Sequence, residues 1–310
     1  MAATPRGEDI KITVAGGTGF IGSKIVKKLL DSGNQVVVLT RKARKSGIKN
    51  LEYLKWDAKP KGLDISSAMD ADVVINLGGG SLVKRWTKEE KKRIVESRID
   101  STRAIVEAIA KSERKPKLLI NASAIGYYGD RGEKEIAETE NAGKGFLAGV
   151  CKKWEREANK AGKQTRVCTL RIGTVLGDGG FLKMLRIMLS FGISPYPSKS
   201  RQWISWIHID DLVELMIFII GDKRVNGAVN AVSPNPVRSG AFIRAVEKAT
   251  GSRHLISMPA IVSKIAAGEL AEEILLSSQR VVPEKAARHG FGFSYGDINR
   301  AMKDIANSYP

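Results

Sequence analysis

The segment that most constrains the fold is the glycine-rich stretch AGGTGFIG at residues 15–22, which follows the apolar, strand-like run IKITVA and opens a helical pattern. Gly16, Gly19 and Gly22 recur at every third residue. The first would permit a tight turn, the second the approach of a pyrophosphate, and the third close packing of helix on strand. The helix would direct its partial positive charge at the phosphates. In this setting the motif predicts a dinucleotide-binding βαβ unit.

Strand-like and helical patterns alternate through the first half of the chain. A long helix begins at a capping box made by Thr87 and Glu90 and runs over residues 87–111. Alternation of this kind predicts an α/β fold with a doubly wound parallel sheet, the Rossmann arrangement. Its strands are expected in five near-continuous apolar runs, at residues 10–15, 35–40, 71–77, 116–122 and 166–172.

The pattern changes after residue 175, where glycine and proline become frequent and helical stretches dominate. We therefore predict a Rossmann domain over residues 9–175 and a smaller, mainly helical substrate lobe over residues 176–310. Segments within residues 202–232, such as WISWIHI and the run to Asn230, are expected to return to the sheet.

The end of the second strand-like run distinguishes between the two nicotinamide dinucleotides. NAD-binding proteins usually carry Asp or Glu there, which binds the ribose 2′-hydroxyl. Here the run ends in Thr40 and is followed by Arg41, with Lys42 and Arg44 close behind. A guanidinium suits a 2′-phosphate through paired, charge-assisted hydrogen bonds. The sequence predicts NADP(H) as the cofactor, and a solvated basic loop is the alternative interpretation.

Charge and cysteine content limit the partners. The chain has 51 Lys and Arg against 33 Asp and Glu, but these basic residues are dispersed and no aromatic residues alternate with them to stack bases. Cys151 and Cys168 suggest neither a disulfide framework nor a metal site.

No apolar run could span a bilayer, and the first residues lack the apolar core of a secretory signal. We expect no specific nucleic acid, no membrane, no metal, and a cytoplasmic location, or an organellar stroma or matrix after removal of a transit peptide.

Further motifs resemble the extended short-chain dehydrogenases/reductases of the NAD-dependent epimerase/dehydratase superfamily, and within them the YfcH-like "epimerase family protein" branch. The likeness extends to about residue 305. Besides GGTGFIG and LTR, it rests on KRWTKEEKKRIVESRIDST (84–102), NASAIGYYGDRG (121–132), FLAGVCKKWE (146–155), LRIGTVLGDGG (170–180), RQWISWIHIDDLV (201–213), NAVSPNPV (230–237) and SSQRVVPEKAARHGF (277–291).

The resemblance implies a nicotinamide cofactor and a set of residues around it. Arg98 would reach the cofactor from the long helix, and it lies beside that helix's apolar face, where a guanidinium needs an anionic partner. The cofactor contacts implied are Gly16, Thr18, Gly19, Phe20, Ile21, Gly22, Thr40, Arg41, Leu77, Gly78 and Arg98.

The chain departs from the family's usual chemistry. Short-chain dehydrogenases carry Tyr-x-x-x-Lys on one helix, where the two side chains share a face, but FLAGVCKKWE places Leu147 and Cys151 at those positions. Cys151 is interpreted as a packing residue. Ser123 matches the family's usual Ser or Thr, and Tyr127 follows in a loop at the edge of the sheet. We predict Ser123 and Tyr127 as the groups that handle a proton.

Two functions from different classes remain open, and a third, polyanion or nucleic-acid binding, rests on the net charge alone. The first is an NADP(H)-dependent oxidoreductase or epimerase acting on a small carbonyl or sugar-nucleotide substrate. The second is a cofactor-bound regulatory or scaffold protein with little or no turnover, which the missing Tyr–Lys pair favours. A homodimer is left open. His208 is interpreted as structural, with Asp210 and Asp211 as cap and first-turn acid of the following helix.

Overall fold

A computed structural model of the chain describes residues 10–59, 62–197 and 200–307. The predicted domain limits at residues 9 and 310 lie outside the described residues. Ten α-helices occur in the described chain: α1 Phe20–Asp31, α2 Ser66–Met69, α3 Lys88–Lys111, α4 Phe146–Ala158, α5 Gly180–Ser190, α6 Ile209–Gly221, α7 Ser239–Thr250, α8 Ala260–Ala267, α9 Glu284–Arg288 and α10 Ile298–Asn307. Short 3-10 turns cover Ile125–Tyr128 and Asn159–Lys163, and a π-helical turn covers Ala271–Leu275.

Seven parallel strands form the central sheet and confirm the predicted doubly wound α/β fold. In chain order they are β1 Lys11–Ala15, β2 Gln35–Thr40, β3 Leu51–Lys55, β4 Val73–Asn76, β5 Leu118–Ala124, β7 Arg166–Ile172 and β12 Gly227–Ala231. Their order across the sheet is β3-β2-β1-β4-β5-β7-β12, so the winding direction reverses between β1 and β4. In such sheets ligands bind outside the carboxyl ends of the strands at this reversal.

Helices cover both faces of the sheet. On one face α1 and α6 pack over an apolar cluster that includes Ile25, Leu29 and Leu215. On the other face α3 contributes Ile105 and Ile109 to a second cluster. The hydroxyl of Thr87 accepts a hydrogen bond from the Glu90 N–H, which is the cap expected at the start of α3. None of the helices in the described residues is both long and apolar enough to cross a membrane.

The second half of the chain departs in one respect from expectation. WISWIHI does not join the central sheet. It forms the short strands β10 (Trp203–Ile204) and β11 (Trp206–His208), which pair with β13 (Val237–Arg238) and β8 (Thr174–Leu176) in separate two-stranded sheets. The reason is that β12 occupies the edge position beside β7, so it is the segment that returns. The short strands are β6 Glu135–Ile136, β8 Thr174–Leu176, β9 Ile193–Ser194, β10 Trp203–Ile204, β11 Trp206–His208, β13 Val237–Arg238, β14 Ile256–Ser257 and β15 Arg280–Val281.

A third apolar cluster lies outside the sheet and holds the C-terminal helices together. Trp206 and Phe242, both fully buried, belong to it with Leu185 and Met302. It joins α5, α7 and α10 around β11. The division of the chain into two domains at residue 175 stays a prediction.

The close packing at the first turn of α1 predicts that a larger side chain there lowers the stability of the fold. A Cβ atom at Gly22 would lie 2.1 Å from the Gly16 carbonyl oxygen. Gly22→Ala should therefore lower the free energy of unfolding by about 1–3 kcal/mol, the usual cost of overpacking. Urea unfolding followed by circular dichroism measures this change.

Gly149 on α4 provides the matched control, because a Cβ atom there would meet open space. Gly149→Ala should raise the free energy of unfolding by about 0.5–1 kcal/mol, the helix-propensity difference between the two residues. Equal midpoints for Gly22→Ala and the parent would show that the turn is looser than described.

Candidate functional site

The glycine turn between β1 and α1 forms the first wall of the crevice. Gly16 has φ +79°, and the Gly19 N–H donates to the Gly16 carbonyl at 3.0 Å. Thr18 and Gly19 are exposed, and the first turn of α1 carries neither an acidic residue nor a side-chain cap. The free N–H groups and the positive end of α1 therefore face outward, which suits a phosphate.

The segment after β4 forms the opposite wall. A Cβ atom at Gly16 would lie 2.9 Å from the Leu77 carbonyl, so only glycine permits the two backbones to come this close. Gly78 donates its N–H to the side chain of buried Asn76, which also bonds Asn121 on β5. Leu77 and Gly78, both predicted cofactor contacts, are thus held beside the glycine turn.

The residues after β2 lie at the same edge. Parallel pairing sets Leu39 opposite Ala15, so the chain beyond Thr40 emerges next to the glycine turn. Thr40 is buried, whereas Arg41 is exposed and forms no ion pair within the described part of the chain. The structure places Arg41 at the carboxyl end of β2 beside the glycine turn, and its role as a 2′-phosphate contact stays a prediction.

Arg98 reaches the crevice from α3. Its guanidinium donates to the Gly80 carbonyl at 3.0 Å and lies 5.4 Å from the ring centre of Trp154. Burial lowers the pKa of this guanidinium from its ordinary value. It has no carboxylate partner among the described residues, so a half-buried positive charge is left for an anion.

Sequence reasoning missed the surroundings of Phe20. The ring of Phe20 is enclosed by the glycines of GDGG: Cβ atoms at Gly177 and Gly179 would lie 2.9 and 2.7 Å from it. Ile21, the next predicted contact, packs on the main apolar cluster. The glycine-rich signal at residues 177–180 was visible in the sequence, but its contact with Phe20 spans more than 150 residues and no local pattern reveals it.

A buried polar network lies beside the carboxyl end of β5. Arg171 on β7 makes a bidentate ion pair with Glu155 on α4, with both N–O distances 2.9 Å. Burial alone would lower the pKa of Arg171, but its hydrogen bonds and charge contact with Glu155 raise it above its ordinary value. Ser123, 3% exposed, donates its hydroxyl to the same carboxylate at 2.7 Å. The predicted proton-handling serine is therefore bonded to an acid that the sequence analysis did not assign a role.

The two tyrosines of the following turn occupy different environments. Tyr128 is fully buried, donates to Asn230 at 2.6 Å and accepts from Arg171, and burial raises its pKa to about 12. Tyr127 is half-buried, and its ring stacks on the Arg171 guanidinium, 3.5 Å from the ring centre. The network thus fixes the ring of Tyr127, and the roles of Ser123 and Tyr127 in proton transfer remain predictions.

Leu147 and Cys151 stand on the buried face of α4. Burial raises the pKa of the Cys151 thiol to about 11, so a thiolate is disfavoured at neutral pH. Burial likewise raises the pKa of Cys168 to about 11.

His208 is the N-cap of α6. Its Nδ1 accepts from the Asp210 N–H at 3.2 Å, which leaves the proton on Nε2, 3.4 Å from Asp304. Asp210 and Asp211 therefore occupy the first turn, and the expected cap at Asp210 is wrong by two residues. The side chain of Asp211 instead accepts from the Ser294 and Tyr295 N–H groups.

Comparison with known proteins identifies the family. The chain matches the NAD dependent epimerase/dehydratase family over residues 12–231. The chain belongs to this family. Residues 258–305 match a domain of unknown function, DUF1731. The family's description names a nicotinamide dinucleotide as cofactor, in keeping with the glycine turn.

Several relatives align over nearly their whole length. The epimerase family protein YfhF of Bacillus subtilis is 32% identical over 96% of this chain and 98% of its own, and one from Staphylococcus saprophyticus is 35% identical over 95% and 98%. The crystal structure of the human epimerase family protein SDR39U1 with NADPH is similar at 26% identity and TM-score 0.84, covering 96% of this chain and 99% of the human one. A Thermus thermophilus UDP-glucose 4-epimerase with NAD, at 19% identity and TM-score 0.77, covers 96% of this chain and 98% of its own and shares the fold.

The buried ion pair makes a prediction for stability. Arg171→Met should lower the free energy of unfolding by about 3–5 kcal/mol because the Glu155 charge is left buried without compensation. Adding Glu155→Leu should restore a large part of the loss. Urea midpoints of the parent, the single and the double variant measure this difference. Arg288→Ala removes an exposed ion pair with Glu284 on α9 and should lower the free energy of unfolding by less than about 1 kcal/mol. A single variant as stable as the parent would contradict the burial of the pair.

Proposed function

We propose that this protein is an NADP(H)-dependent oxidoreductase or epimerase that acts on a small carbonyl or alcohol substrate. The observation that carries the cofactor preference is Arg41, exposed at the end of β2 with no carboxylate beside it in the described chain. The NADPH bound by the human relative supports the same choice. Two basic neighbours, Lys42 and Arg44, are also exposed and add to the positive field there.

The residues of the crevice fit such a cofactor. The glycine turn and the N-terminus of α1 would hold the pyrophosphate, and Arg41 the 2′-phosphate. Arg98 would supply a positive charge near the segment after β4. When bound, the nicotinamide accepts or donates a hydride. We retain Tyr127 and Ser123 as the groups predicted to move the proton: the ring of Tyr127 is oriented by Arg171, and Ser123 is oriented by Glu155.

A second function is favoured by one specific observation. Leu147 and the buried, protonated Cys151 stand where the family's Tyr and Lys would act, so α4 offers no acid or base there. The alternative proposal is a cofactor-bound regulatory or scaffold protein. Turnover of any carbonyl or alcohol by the NADP(H)-loaded protein would exclude it.

The cofactor proposal predicts a measurable preference. The parent protein should bind NADPH at least about tenfold more tightly than NADH, because one charge-assisted contact contributes roughly 1.5–3 kcal/mol. Arg41→Ala should remove most of that preference by weakening NADPH binding alone. Titration calorimetry with both cofactors measures it, and Arg288→Ala, an exposed arginine on α9, serves as the control. Equal affinities of the parent for NADPH and NADH would refute the assignment.

The glycine turn gives an independent test of the same crevice. Gly19→Val should abolish binding of both dinucleotides, because a branched side chain would fill the space open to the pyrophosphate. The protein should stay folded, since a Cβ atom at Gly19 would contact only the Gly16 carbonyl, at 3.3 Å. Micromolar NADPH binding by a folded Gly19→Val variant would show that the phosphates lie elsewhere.

A further inference from the structure

A cavity of about 220 Å³ lies between the start of α4 and the π-helical turn, and we call it the α4 cavity. Residues from both halves of the chain line it, among them Gly126, Leu147, Glu272, Glu273, Ser277 and Gln279. Leu147 stands at the family's tyrosine position, so the cavity adjoins the place where substrates of related enzymes meet the proton donor. No part of the proposed cofactor site uses these residues.

Glu273 is held in the cavity by the first turn of α4. Its carboxylate accepts the Phe146 N–H at 2.5 Å and the Leu147 N–H at 2.7 Å. An ionised carboxylate has about four acceptor positions, so two remain for a ligand. Gly145 is needed for this contact, because a Cβ atom there would lie 2.7 Å from the carboxylate. Glu273 therefore presents a fixed acceptor to the cavity.

The other polar groups of the cavity are mainly acceptors too. Gln279 donates both of its amide hydrogens, to the Ile125 and Gly129 carbonyls, which leaves its side-chain oxygen as an acceptor. The hydroxyl of Ser277 is buried and has no hydrogen-bond partner within the described chain. Such a lining is satisfied by a ligand rich in hydroxyl donors.

Charge and volume restrict the ligand further. Asp130, Glu272 and Glu273 contribute three carboxylates to the lining, against the ammonium of Lys144 and that of Lys264, which is paired with Glu272, so an excess of one negative charge remains. This excess of negative charge disfavours phosphates and carboxylates. The volume of about 220 Å³ lies below the usual range of about 300–1,000 Å³ for ligand pockets, which suits a single-ring compound.

We propose that the α4 cavity is the substrate pocket, that it takes a neutral polyhydroxylated compound of single-ring size, and that Glu273 accepts a hydrogen bond from a substrate hydroxyl. This inference rests on the proposed oxidoreductase function, since it assumes that the substrate meets the cofactor beside Leu147. It differs from binding of a nucleoside diphosphate sugar, whose phosphates the acidic lining would repel.

The test measures binding to the NADPH-loaded protein by saturation-transfer NMR. The neutral probes are glucose, ribose, myo-inositol and glycerol, and the anionic probes are glucose 6-phosphate and UDP-glucose. At least one neutral probe should bind with a dissociation constant in the millimolar range, and the anionic probes more weakly. Glu273→Gln should weaken that binding about tenfold or more, because a hydrogen bond to a charged group is lost. Glu284→Gln is the matched control, since Glu284 is exposed, is paired with Arg288 on α9 and does not line the cavity, and it should change binding by less than about threefold.

A second variant is needed because Glu273→Gln also changes the cap at the start of α4. Ser277→Leu should block the cavity and abolish probe binding, while its NADPH affinity and melting temperature stay those of the parent. Absence of binding by all four neutral probes, tighter binding of UDP-glucose, or unchanged binding in Glu273→Gln would each overturn the proposal. Failure of the parent to bind NADPH would instead overturn the proposed function, because that measurement uses the glycine turn and not the α4 cavity.

Discussion

The close contact between the glycine turn and the backbone after β4 is the constraint on which the rest of this structure depends. Gly16 leaves space for the Leu77 carbonyl, and Gly22 leaves space for the Gly16 carbonyl. These two contacts set α1 against the reversal point of the sheet. They also direct the N–H groups of α1 into the crevice, so packing and phosphate binding have the same cause.

The Arg171–Glu155 pair organises the other side of the crevice. Short-chain dehydrogenases usually place a Tyr–Lys pair on the helix that α4 represents, and here that face is apolar around Leu147 and Cys151. The buried charge of α4 is instead Glu155, which binds Arg171 and Ser123. A buried ion pair of this kind is weak evidence for stability, but its several hydrogen bonds fix the positions of the side chains around it.

The sequence predicted the elements whose signals are local. The N-cap at Thr87, the glycine turn and the apolar strands appear in the structure because each depends on neighbours within a few residues. Only half of the predicted capping box forms, since the Glu90 side chain binds Arg93 and the Thr87 N–H donates to the Arg85 carbonyl. β3 was not predicted, because LEYLK contains two charged residues at the edge of the sheet and lacks the continuous apolar pattern of a central strand. The β-branched and aromatic residues of WISWIHI favour a strand, but they cannot tell a central sheet from the two-stranded sheets that the segment joins.

Contacts between side chains that lie far apart in the sequence could not be predicted from local patterns. Ser123 and Glu155 are separated by 32 residues, and Glu273 meets Leu147 from 126 residues away. Only the packing of the C-terminal lobe on α4 brings the latter pair together.

The segment after α8 connects the two halves of the chain. Glu269 is bonded to Lys91 on α3, and Glu273 caps α4, so the segment after α8 is joined by carboxylates to the two long helices beside the crevice. Leu270 and Ile274 add apolar contacts to the cluster of Trp86 and Leu147. The first half of the chain thus carries the positive groups suited to an anionic cofactor, while the second half brings acceptors to the neighbouring cavity. A ligand in that cavity would contact both halves, and its binding would stabilise the folded chain by mass action.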